Sequence, residues 1–247
     1  MTSVPDHWSI MERDLRGIFA DRLQSLVVFG LHAAAPSPSH DDAHGADHAS
    51  ARTSTLAILA TLREPDLRAC AEHTGAWHAA GLATPLLLAR GEFERSLDAF
   101  PLEFGAIIAD HVVVVGSDPF DGLAVDPDDL RRACEVQARS HLLHLRQGFL
   151  ETEGNGNALA MLALRSAGPF AALLTSVARL QGLSTHDQAA AARHAERQLQ
   201  LAPGVVTEVV KLARAKDVSA AEATRIFPAY LDATERLVQY VDGWRTT

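Results

Sequence analysis

Six side chains able to ligate a metal ion fall within nine positions of this chain: His40, Asp41, Asp42, His44, Asp47 and His48. The three imidazoles are four residues apart, so a helix would align them, and histidine with carboxylate suits Zn²⁺ or another transition metal. His40, His44, His48 and Asp42 are therefore the candidate metal ligands. Pro36, Pro38 and Gly45 oppose a helix here. The surrounding stretch, 33–52, turns to Ala, Pro, Ser, His and Asp, the composition of a long loop. A solvated insertion that holds no metal is the competing reading.

Other chemical signatures are sparse. Twelve histidines guarantee chance Ser-His-Asp combinations, but no nucleophile-elbow pattern accompanies them, so hydrolase chemistry has little support. Neither a phosphate-binding Walker loop nor a dinucleotide Gly-x-Gly-x-x-Gly is present, and Gly154-Asn155-Gly156-Asn157 reads as a break between helices. Arg131, Glu135 and Arg139 form an i,i+4 ladder that, with Arg146, either meets an anion or simply covers a surface. His141 and His144 fall in the same charged helix and read as solvated. Cys70 and Cys134 are the only two cysteines; both sit in apolar patterns as small core residues, and so few favour a reduced, cytoplasmic setting.

The elements that must position these residues change character near Val125. Before it, Trp8 to Leu23 has helical apolar spacing, and Leu26-Val27-Val28-Phe29 is a β-forming run closed by Gly30. Ser54–Leu62, Pro85–Leu88, Phe100–Ile108 and His111–Val115 read as four further strands, with a helix over Pro65–Ala80. After it, strand signals vanish. Asp126-Pro127 opens a helix whose apolar stripe runs Leu130, Cys134, Ala138, Leu142, Leu145 and Phe149. Ala158–Gln181 reads as two helical pieces broken at Gly168-Pro169. Ser184 with Asp187 and Ser219 with Glu222 are capping boxes that open two more helices, the last bent or restarted by Pro228. The expected fold is α+β (or α/β). A small mixed sheet with flanking helices occupies 1–125, followed by an all-α bundle of about five elements at 126–247.

From the Gly30 region to about Phe149, this order resembles a minimal nucleotidyltransferase domain followed by a helical domain. Leu26-Val27-Val28-Phe29-Gly30 resembles the family's first strand and glycine, Ser54-Thr55-Leu56-Ala57-Ile58-Leu59 its second strand, and Phe100-Pro101-Leu102-Glu103-Phe104 its later strand. The run Val114-Val115-Gly116-Ser117-Asp118-Pro119, and then Leu130-Arg131 with Glu135 and Arg146, is similar to the passage into the helical domain. The resemblance implies a nucleotide cleft near Gly30, Leu31, Thr55 and Ala57, with Arg131 and Arg146 as anion contacts. In the family, two alternating carboxylates and a third acid hold two Mg²⁺ ions that polarise the phosphates and activate the incoming hydroxyl. Here Thr55 and Ala57 stand where the paired acids belong, Leu31 replaces the serine after the glycine, and only Glu103 remains. One carboxylate is a poor site for Mg²⁺, which demands several oxygens in octahedral geometry. The expectation is a pseudoenzyme serving binding, regulation or assembly. Two alternatives stand beside it. One is an active Mg²⁺-dependent transferase whose metal site is rebuilt on Glu103, Asp98 or loop acids. The other is a metal protein centred on the His/Asp loop.

Composition narrows the partners. The 247 residues carry 22 basic and 31 acidic side chains, a formal net charge of -9. All of that excess lies in residues 1–125, with 8 basic and 17 acidic groups, against 14 of each in 126–247. General nucleic-acid binding is disfavoured, because it needs a basic face. A nucleotide, a protein or a second copy of the chain remain possible partners. The longest charge-free apolar stretch, Ser166–Ala178, is short for a membrane span, and 1–8 carries no signal-peptide pattern, so no membrane partner is expected.

Overall fold

The computed structural model describes residues 8–31, 52–183, 185 and 187–244. They divide into two compact units, residues 8–31 with 52–124 and the described residues from 125 onward. The His/Asp cluster at 40–48 lies outside the described residues.

The first unit is α+β. In order, its elements are α1 (Ser9–Phe19), one 3₁₀ turn (Ala20–Arg22), β1 (Leu23–Phe29), β2 (Ser54–Leu59) and α2 (Glu64–Ala79). They are followed by β3 (Leu86–Ala89), α3 (Arg90–Glu94), α4 (Pro101–Ala109) and β4 (His111–Gly116). The sheet order is β3-β2-β1-β4; β1 runs antiparallel to β2 and β4, and β2 parallel to β3. A parallel pair needs a crossover, and α2 supplies it. Met11, Leu15 and Phe19 recur along α1 at four-residue steps and close over Leu26, Ala57 and Leu59 of the sheet, together with Cys70 and Trp77 of α2. Asp14, also on the buried side of α1, accepts a 3.0 Å hydrogen bond from Trp77 Nε1, so the polar atoms at this helix contact are matched.

One expected strand is a helix. Phe100–Ile108 falls almost wholly within α4, with Pro101 in its first turn and Glu103 close behind. Proline there gives up an N–H that has no intrahelical partner anyway, and an acid suits the positive end of the helix dipole. Phe104 and Ile107, three apart, are the buried side. Their apolar run suggested β structure, but its spacing serves a helix.

The second unit is all-α: α5 (Pro127–Glu151), α6 (Gly156–Leu180), α7 (Gln188–Gln198), α8 (Val205–Leu212) and α9 (Ala220–Gly243). The Asp126 side chain caps α5 by accepting from the N–H groups of Asp128 and Asp129. Ser219 caps α9 by accepting from Glu222 N. The cap of α7 is Asp187 itself, which accepts from Ala189 N; Ser184 lies outside the described residues. The break expected at Gly168-Pro169 is absent, and α6 runs unbroken through Pro169, as α9 does through Pro228. Both prolines are flanked by buried residues (Ala167 and Phe170; Phe227 and Tyr230), and tertiary packing overrides the local cost. By length and composition α6 could cross a membrane. Within this unit it is the core helix, packed against α5, α7, α8 and α9.

Candidate functional site

The residues expected to form a nucleotide cleft lie mainly on two adjoining strands. In the β1–β2 ladder Thr55 is opposite Val28 and Ala57 opposite Leu26, and Gly30 follows directly on β1. Residues two apart on a strand share a face, and here that face is the one α1 covers. The Thr55 hydroxyl donates to Met11 Sδ at 3.1 Å, and Ala57 belongs to the Met11–Leu15–Phe19–Trp77 core. Their exposures are 1% and 0%. Neither residue lines a surface, so neither contacts a nucleotide in this arrangement.

Gly30 has φ +70°, a left-handed conformation that glycine adopts without penalty. A Cβ added there would meet nothing within 4 Å, so backbone conformation rather than crowding selects glycine. Its N–H donates to Asp110 O at 3.0 Å and is therefore committed to the protein instead of a phosphate. Leu31 is a half-buried bend residue.

Glu103 is exposed near the N-terminal end of α4. The Asp110 carbonyl that holds Gly30 lies just past the opposite end of that helix. The intervening helical rise is roughly 10 Å, too far for Glu103 and Gly30 to share one ion. A strand had been expected to carry Glu103 into the cleft; α4 instead places it outward.

The arginines expected to meet an anion are all engaged. Arg131 pairs with Glu135 at 2.9 Å and Arg146 with Glu235 at 2.7 Å. Arg139 bridges Glu135 and Asp242 at 3.2 and 2.8 Å. These are ladder and interhelix ties of the second unit, half-exposed and individually weak. Among the described residues no group of three or more His, Cys, Asp or Glu side chains is arranged to hold a metal ion.

The structure also assembles polar clusters that sequence spacing did not show. Asp14 accepts from Trp77, pairs with the Arg13 guanidinium at 2.9 Å and lies 3.2 Å from His73 Nδ1. The His73 ring is stacked on Trp77. Arg22 makes two 2.8 Å bonds to the Asp66 carboxylate, which hold that carboxyl below its usual range and tie the start of α2 to the 3₁₀ turn. In the second unit His141, expected in solvent, is buried on α5. It lies 2.8 Å from the Tyr230 hydroxyl of α9 and stacks on Phe170 of α6. Burial pushes its pKa down to about 4, keeping it neutral. Cys70 and Cys134 are buried free thiols, raised by desolvation to about 11 and about 12, and so are unreactive at neutral pH.

Glu196 of α7 is a buried acid with a structural task. Its carboxylate accepts from the N–H and hydroxyl of Thr207 at 2.8 and 3.0 Å. Burial alone would raise this group, but the N–H groups of Gly204, Thr207 and Val206 and the Thr207 hydroxyl hold it below its ordinary value. An anion thus sits at the positive end of α8. A side chain from another helix fills the place a phosphate could have taken.

Compared with models of known protein families and with curated protein sequences, the chain matches none of them.

Proposed function

We propose that this is a nucleotidyltransferase-like protein that has lost metal-dependent transfer and acts in binding, regulation or assembly. One observation carries the reading. The positions that would need paired carboxylates hold Thr55 and Ala57, and both are sealed beneath Met11 and its neighbours on α1. Two Mg²⁺ ions need several oxygens around an open site. This face offers one hydroxyl in an apolar contact.

Further support comes from the remaining candidates. The Gly30 amide is satisfied within the chain, Glu103 stands apart on α4, and Arg131 and Arg146 are paired with acids. The order of helix, glycine-ended strand, second strand and later helical unit is what favours the nucleotidyltransferase-like ancestry.

The test is incubation of the purified full chain with α-³²P-labelled nucleoside triphosphates, Mg²⁺ or Mn²⁺, and candidate protein and RNA acceptors. No label transfer above a metal-free control is expected. Robust transfer that is abolished in Glu103→Gln would establish instead a working transferase with a rebuilt metal site.

A further inference from the structure

Arg179 stands in the last turn of α6. Its Nε and Nη1 atoms are buried and, among the described residues, donate to nothing. Burial pulls the guanidinium below its ordinary pKa, yet an arginine keeps its proton inside a protein, so the positive charge remains. A charge stripped of water and left unpaired is costly, and buried arginines are ordinarily matched by an acid. None is supplied here. The titratable neighbour on α5 is the Cys134 thiol, which burial pushes up to about 12 and so keeps neutral. Acids along α5 are committed to other arginines, Asp129 to Arg132 and Glu135 to Arg131 and Arg139. A cation in a last turn can also serve its own helix by bonding the final carbonyls, but these two donors reach none of them.

We propose that Arg179 is the recognition group of a binding site for a small organic monocarboxylate, where the end of α6 packs on α5. The ligand class follows from what the guanidinium lacks. Its planar fork matches the two oxygens of a carboxylate, and either edge of the fork includes one of the two orphaned donors. One positive charge neutralises one negative charge. A phosphate dianion would leave surplus charge in a place already short of water, which a monocarboxylate does not. The neutral Cys134 thiol behaves as a small apolar surface, which suits the carbon chain of such a ligand. Arg179 as a whole is half-buried, so its side chain still meets solvent and a ligand of a few carbons has an approach. The site belongs to the second unit and does not depend on the nucleotidyltransferase-like reading.

Thermal unfolding of the full chain, titrated with sodium butyrate at constant ionic strength, reads the result. Butyrate should raise the wild-type midpoint to a plateau, whereas sodium chloride and inorganic phosphate at the same ionic strength should not. Arg179→Met keeps most of the side chain's length and drops the charge. In carboxylate-free buffer it should melt no lower than the wild type, because it removes an unpaired buried charge, and butyrate should leave its midpoint unmoved. Arg179→Lys retains a charge without the fork and should bind butyrate about tenfold more weakly; it decides the matter if the methionine variant does not fold. A wild-type chain that shows no plateau with butyrate overturns the proposal. So does a plateau that phosphate reproduces, or one that persists unchanged in Arg179→Met or Arg179→Lys. A folded Arg179→Met that melts well below the wild type assigns the guanidinium to the fold and overturns it too.

Discussion

At the scale of single residues, position 55 bears most directly on the proposed loss of metal-dependent transfer. A carboxylate there would be buried against Met11 Sδ without a cation to pair with, and an unpaired buried charge is among the costliest substitutions. Thr55→Asp should therefore lower unfolding stability by about 3 kcal/mol or more in urea titrations, with no gain in Mg²⁺ affinity. His141 sets a separate pH dependence. Burial holds its folded pKa at about 4 against an ordinary histidine value of 6.5. As pH falls below the unfolded value the unfolded chain takes up a proton that the folded chain refuses. Stability is thus lost between pH 6.5 and 4, by on the order of 3 kcal/mol. Urea midpoints measured across that window should fall for the wild type and change less in His141→Leu. Glu196 acts in the complementary sense: its lowered pKa adds stability above the ordinary carboxylate range, and that is lost only as pH drops further, through its folded value.

Among the elements, the β1–β4 ladder is the most exacting. Gly116 has φ +76°, and a Cβ there would sit 1.9 Å from Gln24 O. Gly116→Ala should cost about 2 kcal/mol or more through backbone strain and a displaced strand end. Native-state hydrogen exchange should show the loss first in β4. Much of this architecture was legible in the sequence, for reasons tied to particular residues. Val27-Val28-Phe29 and Val112-Val113-Val114-Val115 are runs of β-branched and aromatic strand formers, and Asp126-Pro127 and Ser219 are strong helix starts. The Phe100–Ile108 run is ambiguous in sequence because its apolar content suits a strand while Pro101 and Glu103 mark a helix start. The short α3 offers too few residues for any period to register. Pro169 and Pro228 sit inside helices because packing around them, invisible in local sequence, outweighs their propensity. The site was least legible. β2 is apolar on both faces, so nothing in Ser54–Leu59 shows which face α1 covers. Asp14 and Trp77 are 63 positions apart, and no local pattern links them.

For the molecule as a whole, charge and topology point the same way. The acidic excess belongs entirely to residues 1–125, the half that the proposed nucleotidyltransferase-like reading would have receive a triphosphate. In a working transferase, bound Mg²⁺ would offset such acids and offer positive charge to the phosphates. Here the paired positions are a threonine and an alanine in a closed core, and the second unit's candidate arginines are occupied by their own acids. The most direct measurement is isothermal titration of ATP into the full chain with and without Mg²⁺. A sealed site predicts no saturable heat in either case, and the same silence in Glu103→Gln. A Mg²⁺-dependent dissociation constant in the micromolar range, lost in Glu103→Gln, would contradict it.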